Sequence, residues 1–358
     1  MKESFPEFTE NNLASVNISF PQGYPGSIPG VGVILSYISR NNNAFKANLI
    51  LRNMPDLICP VVSPLCAADF RAVIGNAVSR GRGANSIFIL GTTGEFDLFT
   101  VDEKKGFIDV AVDEIAKQRA SLEVPEMKLT LGVGIMAESE RASIELARYA
   151  ERQGADYLVV MPVYMTRRFG RCTRRGSTGA ARRVLEATDK IDVVLYTYAA
   201  KTNGKDLLPR TLEKLSVEER IKALKVSTQD RVLVERYKAA SKGRIKIYVG
   251  NEIMGLRTPY DGIVSGSTNV LAAAWGRATR RGEEDIQGGR VADRLTDFQK
   301  FYSGNPVGAF HYMLEKLGVV KQGFRQENRV SASQAGSLDY MMTDGDFKTF
   351  VSWNQKKV

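Results

Sequence analysis

The stretch SIFILGTTGEFDLFTVDEKKGFIDVAVDEIAKQ, residues 86–118, decides the fold. Its first five residues are a continuous apolar run, the pattern of a strand buried on both faces rather than one alternating between core and water. A turn of two glycines, two threonines and a glutamate follows. Thr100 and Glu103, three residues apart, then form a capping-box pair that opens a helix. Strand, turn and amphipathic helix in that order make one β/α unit.

The unit recurs along the chain. LICPVV (57–62), KLTLGVG (128–134), DYLVVM (156–161), DVVLYT (192–197), IKALKV (221–226), KIYVG (246–250) and DGIVSG (261–266) are further short apolar runs, which with residues 86–90 makes eight. Helical segments lie between most of them. ESERASIELARYAERQG (138–154) and DRVLVERYKAASKG (230–243) each end on a glycine, a common helix stop. Eight strands alternating with helices predict an α/β fold, a (β/α)8 TIM barrel over residues 51–283. A doubly wound open sheet is the alternative, since periodicity does not register closure. Residues 284–358 are predicted to add a C-terminal helical extension, carried by EEDIQGGRVADRLTDFQKFY (283–302) and PVGAFHYMLEKLG (306–318), and a polar tail from about residue 320. Residues 1–50, rich in Asn, Ser, Gly and Pro, read as an extension ahead of the barrel.

Composition narrows the function classes. The chain has 358 residues with an apolar share of 43% and a charged share of 25%, as in soluble globular proteins. It has no run of 18 apolar residues to span a membrane and no basic-then-apolar leader, so neither a membrane segment nor a secretory signal is expected. The cysteines, Cys59, Cys66 and Cys172, are odd in number and lack C-x-x-C spacing, which reads as reduced thiols in a cytoplasmic protein. The single histidine, His311, cannot build a His-rich zinc site, and any His-based triad would have to route through it. Its helical setting gives it a packing or helix-surface role.

The formal charge of +10 invites a nucleic-acid reading. Seven arginines, however, crowd into TRRFGRCTRRGSTGAARR (166–183) with no acid among them, and the rest of the chain is close to neutral. The basicity is local, and nucleic acid is not an expected partner. The composition of this segment is wrong for a packed helix, so a mobile loop, an anion-attracting lid or a local error in the sequence is expected there.

Functional groups of such barrels gather where strands end and helices begin. Lys225 ends the sixth run. The period-two rule puts it on one face with Ile221 and Ala223, pointing into the barrel mouth. A lysine there is costly unless paired or neutralised by a depressed pKa. A neutral lysine is the nucleophile required for a Schiff base with a ketone or aldehyde. The plain alternative is a strand-end lysine reaching solvent. Tyr196 ends the fifth run; beside a Schiff-base lysine its phenol can shuttle a proton, and Tyr164, past the fourth, can extend the relay. GTTGE lacks the lysine and spacing of a P-loop and the G-x-G-x-x-G fingerprint. Its hydroxyls and backbone N–H groups suit a small carboxylate instead, with Glu95 bracing the turn.

Six segments together carry a resemblance: VSPL (62–65), GTTGEFDLFTVDEKK (91–105), VGIMAESERASIELARYAERQGADYLVVMPVY (133–164), VVLYT (193–197), LKVSTQD (224–230) and GIVSGSTN (262–269). In order and spacing they resemble the dihydrodipicolinate synthase/N-acetylneuraminate lyase family of class I, pyruvate-handling aldolases, over about residues 55–320. The resemblance implies a covalent imine on Lys225 with no metal or organic cofactor, and a 2-keto acid, usually pyruvate, as substrate, with an aldehyde as second partner. It implies a proton relay through Tyr196, Thr92 and Tyr164, the last often supplied by a neighbouring subunit, and therefore a homotetramer or dimer. Thr93 would hold the keto-acid carboxylate, and Gly250 and Val264 would line its pocket.

The chain also departs from the family pattern. LYTYAAK (195–201) lacks the asparagine and proline of the family's L-Y-N-x-P, and Lys201 stands where synthases place an arginine to grip the second substrate's carboxylate. A lysine is a point charge rather than a bidentate fork. GTTGE leans toward the synthase branch and G-S-T-N toward the lyase branch. Enzymes acting on 2-keto-3-deoxy sugar acids, whether aldolase or dehydratase, an N-acetylneuraminate lyase-like enzyme, and a catalytically inactive barrel serving as a binding protein stay open as alternatives.

Overall fold

Eight parallel strands close on themselves in chain order, with β8 hydrogen-bonded back to β1. They are β1 (Asp56–Pro60), β2 (Ser86–Ile89), β3 (Thr130–Gly134), β4 (Tyr157–Val160), β5 (Asp192–Thr197), β6 (Ile221–Val226), β7 (Lys246–Val249) and β8 (Gly262–Val264). Each falls on one of the apolar runs, and closure rules out the open sheet. This computed structural model describes residues 56–122, 128–168, 174–258, 260–279, 286–325 and 329–355. The extension assigned to residues 1–50 lies outside the described residues.

Helices wrap the barrel: α1 (Ala67–Val78), α2 (Val101–Ala120), α3 (Glu140–Gln153), α4 (Pro162–Arg168), α5 (Arg174–Ala187), α6 (Pro209–Leu215), α7 (Arg231–Ser241), α8 (Glu252–Arg257) and α9 (Thr268–Thr279). The C-terminal extension adds α10 (Ile286–Tyr302), α11 (Pro306–Lys316), α12 (Ala332–Thr343) and α13 (Gly345–Gln355). The capping box of α2 forms as expected. Thr100 N–H donates to Glu103 Oε2 at 2.8 Å and Glu103 N–H to Thr100 Oγ1 at 3.3 Å. Gly154 caps α3 with φ 93°, whereas α7 stops one residue sooner than its glycine, with Lys242 itself left-handed at φ 52°.

Polar rings fill the lower, N-terminal half of the barrel. Tyr157 OH lies 2.8 Å from Ser86 Oγ, which accepts from Thr130 Oγ1 at 2.8 Å, and Tyr248 OH donates to Asp56 at 2.7 Å. A Cβ on Gly132 would stand 2.2 Å from the Tyr157 ring, so that strand position has room only for hydrogen. With the floor plugged, any room for a ligand lies in the upper half, where the strands end.

One expectation is corrected, and one segment that composition left open is filled in. The arginine-rich segment is not without helix: α5 covers its second half. Ala180, Ala181, Val184 and Leu185 are buried, while Arg182 and Arg183 face outward to Glu218 and Glu140 at 3.0 and 2.5 Å. The acids that neutralise these arginines come from other elements, so the local composition hides them. The polar tail is also helical. Leu338, Met341, Phe347 and Phe350 are buried, and Asn354 accepts from Ala273 N–H and donates to the Val270 carbonyl of α9 at 2.9 and 2.8 Å.

Asn269 fastens the seam where the barrel closes. Fully buried, it accepts from Val62 N–H at 3.2 Å and donates to the carbonyls of Pro60 and Gly266 at 2.9 and 2.8 Å. Asn269→Ala would orphan these buried groups, each worth about 1–3 kcal/mol. A loss of about 2–4 kcal/mol is expected in denaturant unfolding. A change within ~0.5 kcal/mol, the range of ordinary surface substitutions, would contradict this role.

Candidate active site

Lys225 is the fifth residue of β6 and only 5% exposed. Its Nζ lies 4.2 Å from the ring centroid of Tyr196, its register partner on β5, and 4.9 Å from that of Phe88 on β2. Packing among rings strips the ammonium of water, and this burial pushes its pKa down to about 7. The residue points inward as period two requires, whereas Lys222, on the opposite face, is exposed.

Tyr196 is 1% exposed. Its hydroxyl lies 3.2 Å from Thr92 Oγ1 and accepts from Ser227 Oγ at 3.3 Å. Burial pushes the phenol up to about 12, with the Ser227 and Thr92 contacts pulling partly the other way. It therefore keeps its proton near neutral pH and sits within a chain of three hydroxyls beside the lysine. A Cβ at Gly250 would stand 2.5 Å from Ser227 Oγ, so the glycine lets that serine reach the phenol. Val264 ends β8, buried, paired across the seam with Ile58.

The loop after β2 is held from below and behind. Ser63 Oγ donates to the Gly94 carbonyl at 2.9 Å. A Cβ on Gly94 would meet the Val61 carbonyl oxygen at 2.8 Å, so only glycine allows this approach. Leu90 and Glu95 flank the turn in the left-handed region at φ 55° and 53°, conformations a non-glycine residue holds only when its surroundings impose them. Glu95 is 4% exposed with His311 Nε2 at 3.1 Å. Both side chains are buried, and neither faces solvent. Thr93 stays partly exposed.

Tyr164 and Lys201 gather around the far side of this loop. Tyr164, on α4, meets Phe96 edge to face with centroids 5.3 Å apart. Lys201 Nζ lies 5.7 Å from the Phe96 centroid and 2.6 Å from Asp97 Oδ2. The geometry thus joins Lys225, Tyr196 and Thr92 directly and Gly250 through Ser227, and sets Tyr164 and Lys201 at the rim.

Sequence reasoning missed four contributors. Ser227 was visible as a hydroxyl two residues beyond the lysine, and Phe88 as an alternation partner of Ser86. Asp97 carried no pattern of its own. Glu252 opens α8 and accepts from Ser265 Oγ, Ser267 N–H and Ser267 Oγ at 2.8, 2.9 and 3.0 Å, and from Tyr302 OH at 2.8 Å. It thereby fixes the loop after β8. Among the described residues no three His, Cys, Asp or Glu side chains gather as a metal site, and no described helix is long and apolar enough to cross a membrane.

Comparison with known proteins bears on the family and the fold. The chain is 29% identical over 190 residues to a 4-hydroxy-tetrahydrodipicolinate synthase of Clostridium perfringens, a match covering 52% of this chain and 60% of that relative's length. YagE, a prophage protein of the dihydrodipicolinic acid synthase family from E. coli K12 solved with pyruvate, superposes with a TM-score of 0.70 at 19% identity, covering 82% of this chain and 98% of YagE. CdNal from Clostridium difficile, solved with mannosamine, gives 0.69 at 16%, covering 83% and 99%. At such identities the structural likeness is one of fold. The profile of the Dihydrodipicolinate synthetase family matches residues 63–326, from the loop after β1 through the eighth strand and into the helical extension. The chain belongs to that family.

Proposed function

We propose that the protein is a Schiff-base-forming carbon–carbon lyase or aldolase that binds a 2-keto acid, pyruvate or a precursor of it, on Lys225. The observation carrying this reading is a buried lysine amine held against Tyr196, with its pKa pushed down to about 7. The neutral amine adds to the keto carbon, and loss of water from the carbinolamine leaves the imine. Removal of a C3 proton gives the enamine. Its C3 then forms a bond to an aldehyde carbon, the aldehyde oxygen takes a proton, and hydrolysis of the imine releases a 4-hydroxy-2-oxo acid. Cleavage runs the same steps in reverse. Tyr196 carries protons to and from the carbinolamine oxygen through Thr92, and Tyr164 extends the relay. Thr93 holds the keto-acid carboxylate, between walls that include Gly250 and Val264. The imine supplies the electron sink, so the reaction calls for no separate cofactor. In this reading the enzyme works in the cytoplasm as a homo-oligomer. The pyruvate bound to YagE and the mannosamine bound to CdNal support both the keto acid and a sugar-like partner.

The second substrate is read from Lys201. Asp97 at 2.6 Å already occupies that cation, so a carboxylate arriving there meets a neutralised pair. This favours aldehydes without a second carboxylate, including those released from 2-keto-3-deoxy sugar acids.

Three measurements test the proposal. Incubation with pyruvate followed by borohydride should leave a reduced three-carbon adduct on Lys225 by mass spectrometry, absent in Lys225→Ala; an unmodified wild-type protein would sink the imine mechanism. Because only the neutral amine attacks, the trapping rate should rise with pH through about 7 and level off above it. A rate still climbing toward about 10, the range of an ordinary lysine, would mean the amine is not desolvated. In an aldehyde panel, uncharged hydroxyaldehydes should outpace carboxylated ones by about tenfold or more, and Asp97→Asn should narrow the gap, each tenfold being about 1.4 kcal/mol. A wild-type preference for carboxylated aldehydes would overturn the reading of Lys201.

A further inference from the structure

The C-terminal extension makes a buried contact with the loop that carries Thr92 and Thr93. His311, on α11, is 5% exposed and stacks on Phe324 with ring centroids 3.8 Å apart and planes 6° from parallel. That stacking fixes the ring, and its Nε2 stands 3.1 Å from Glu95 Oε2. The nitrogen has no in-line hydrogen-bond partner among the described residues. It is a close polar contact aimed at one carboxylate. A carboxylate as deep as Glu95 is costly without polar company.

Glu95 is also the hinge of the turn through its backbone. Its N–H donates to the Thr92 carbonyl at 3.1 Å, and its own carbonyl accepts from Leu98 N–H at 2.9 Å. Its left-handed φ of 53° is a conformation that relaxes unless held. The Thr92 hydroxyl in turn stands 3.2 Å from Tyr196 OH. A continuous path therefore runs from a helix outside the barrel, through His311 and Glu95, to the phenol beside Lys225.

We propose that Glu95 and His311 form a positioning pair: His311 anchors the Glu95 carboxylate from the C-terminal extension, and so holds the threonine loop in the geometry that receives the keto acid. Neither residue touches substrate. The proposal rests on the keto-acid reading of Lys225 for its effect on the reaction, but not for its effect on the loop.

The test uses the full chain and three variants. His311→Phe keeps a ring to stack on Phe324 but removes the nitrogen. Glu95→Gln removes the charge and keeps the shape, and the third variant combines both. Two readouts are taken: the pyruvate concentration giving half-maximal borohydride trapping, and amide hydrogen exchange across residues 92–97. His311→Phe should raise the half-saturating pyruvate about tenfold, equivalent to about 1.4 kcal/mol, and quicken exchange in the loop. The double variant should lose no more than His311→Phe alone, because both substitutions act through one contact. If His311→Phe lowers the melting temperature while half-saturation and loop exchange stay at wild-type values, His311 is merely a packing residue and the proposal falls. If wild-type protein forms no adduct, the keto-acid reading fails, and the exchange data alone decide whether His311 holds the loop: quickened exchange sustains the anchor, and unchanged exchange overturns it.

Discussion

The desolvated amine of Lys225 is the constraint around which the upper barrel is arranged. A lysine 5% exposed among aromatic rings is tolerated only if its charge can be shed, and burial lowers the pKa far enough for that. No other cause of the shift is needed, so the lowered pKa follows from burial within the closed barrel. Opening the sheet at any strand would rehydrate the amine and return it to an ordinary surface cation. The seam at Asn269 and the phenol-filled floor beneath therefore bear on chemistry as well as stability.

The threonine loop meets this constraint with backbone strain. Two non-glycine residues, Leu90 and Glu95, are left-handed at either end of a turn of four small residues. Ser63 and the Val61 carbonyl press on it from the segment after the first strand, and His311 meets it from the extension. Held from two directions, the loop presents Thr92 to the phenol while Thr93 keeps some exposure. Glu95 in this loop and Glu252 behind the loop after β8 are both buried carboxylates, Glu252 with four hydrogen bonds.

Legibility from sequence followed the range of the interactions. Strand positions, the Thr100 capping box and the inward face of β6 depend on neighbours within a few residues, and these were readable. The helix α5 and the helical character of the polar tail were not legible for one reason. Arg182 and Arg183 are neutralised by Glu218 and Glu140 from other elements, and α13 is pinned by Asn354 to α9, some eighty residues earlier. Local composition carries no trace of such partners. Asp97 went unnoticed likewise, because its meaning lies in Lys201, which a different strand delivers.

What the sequence alone determined was an alternating β/α chain whose strand ends carry a lysine, a tyrosine and a threonine-rich turn, because period and capping are written in adjacent residues. The order and spacing of its motifs also sufficed to place it beside its family. Tertiary structure alone decided that the strands close into a barrel, that Lys225 loses its water to Phe88 and Tyr196, and that Ser227 and Thr92 converge on one phenol. It also decided that the Lys201 cation is taken by Asp97 and that the chain's one histidine stands against Glu95 of the threonine loop. Each of these is a contact between segments far apart in the chain, made only when the last strand pairs with the first.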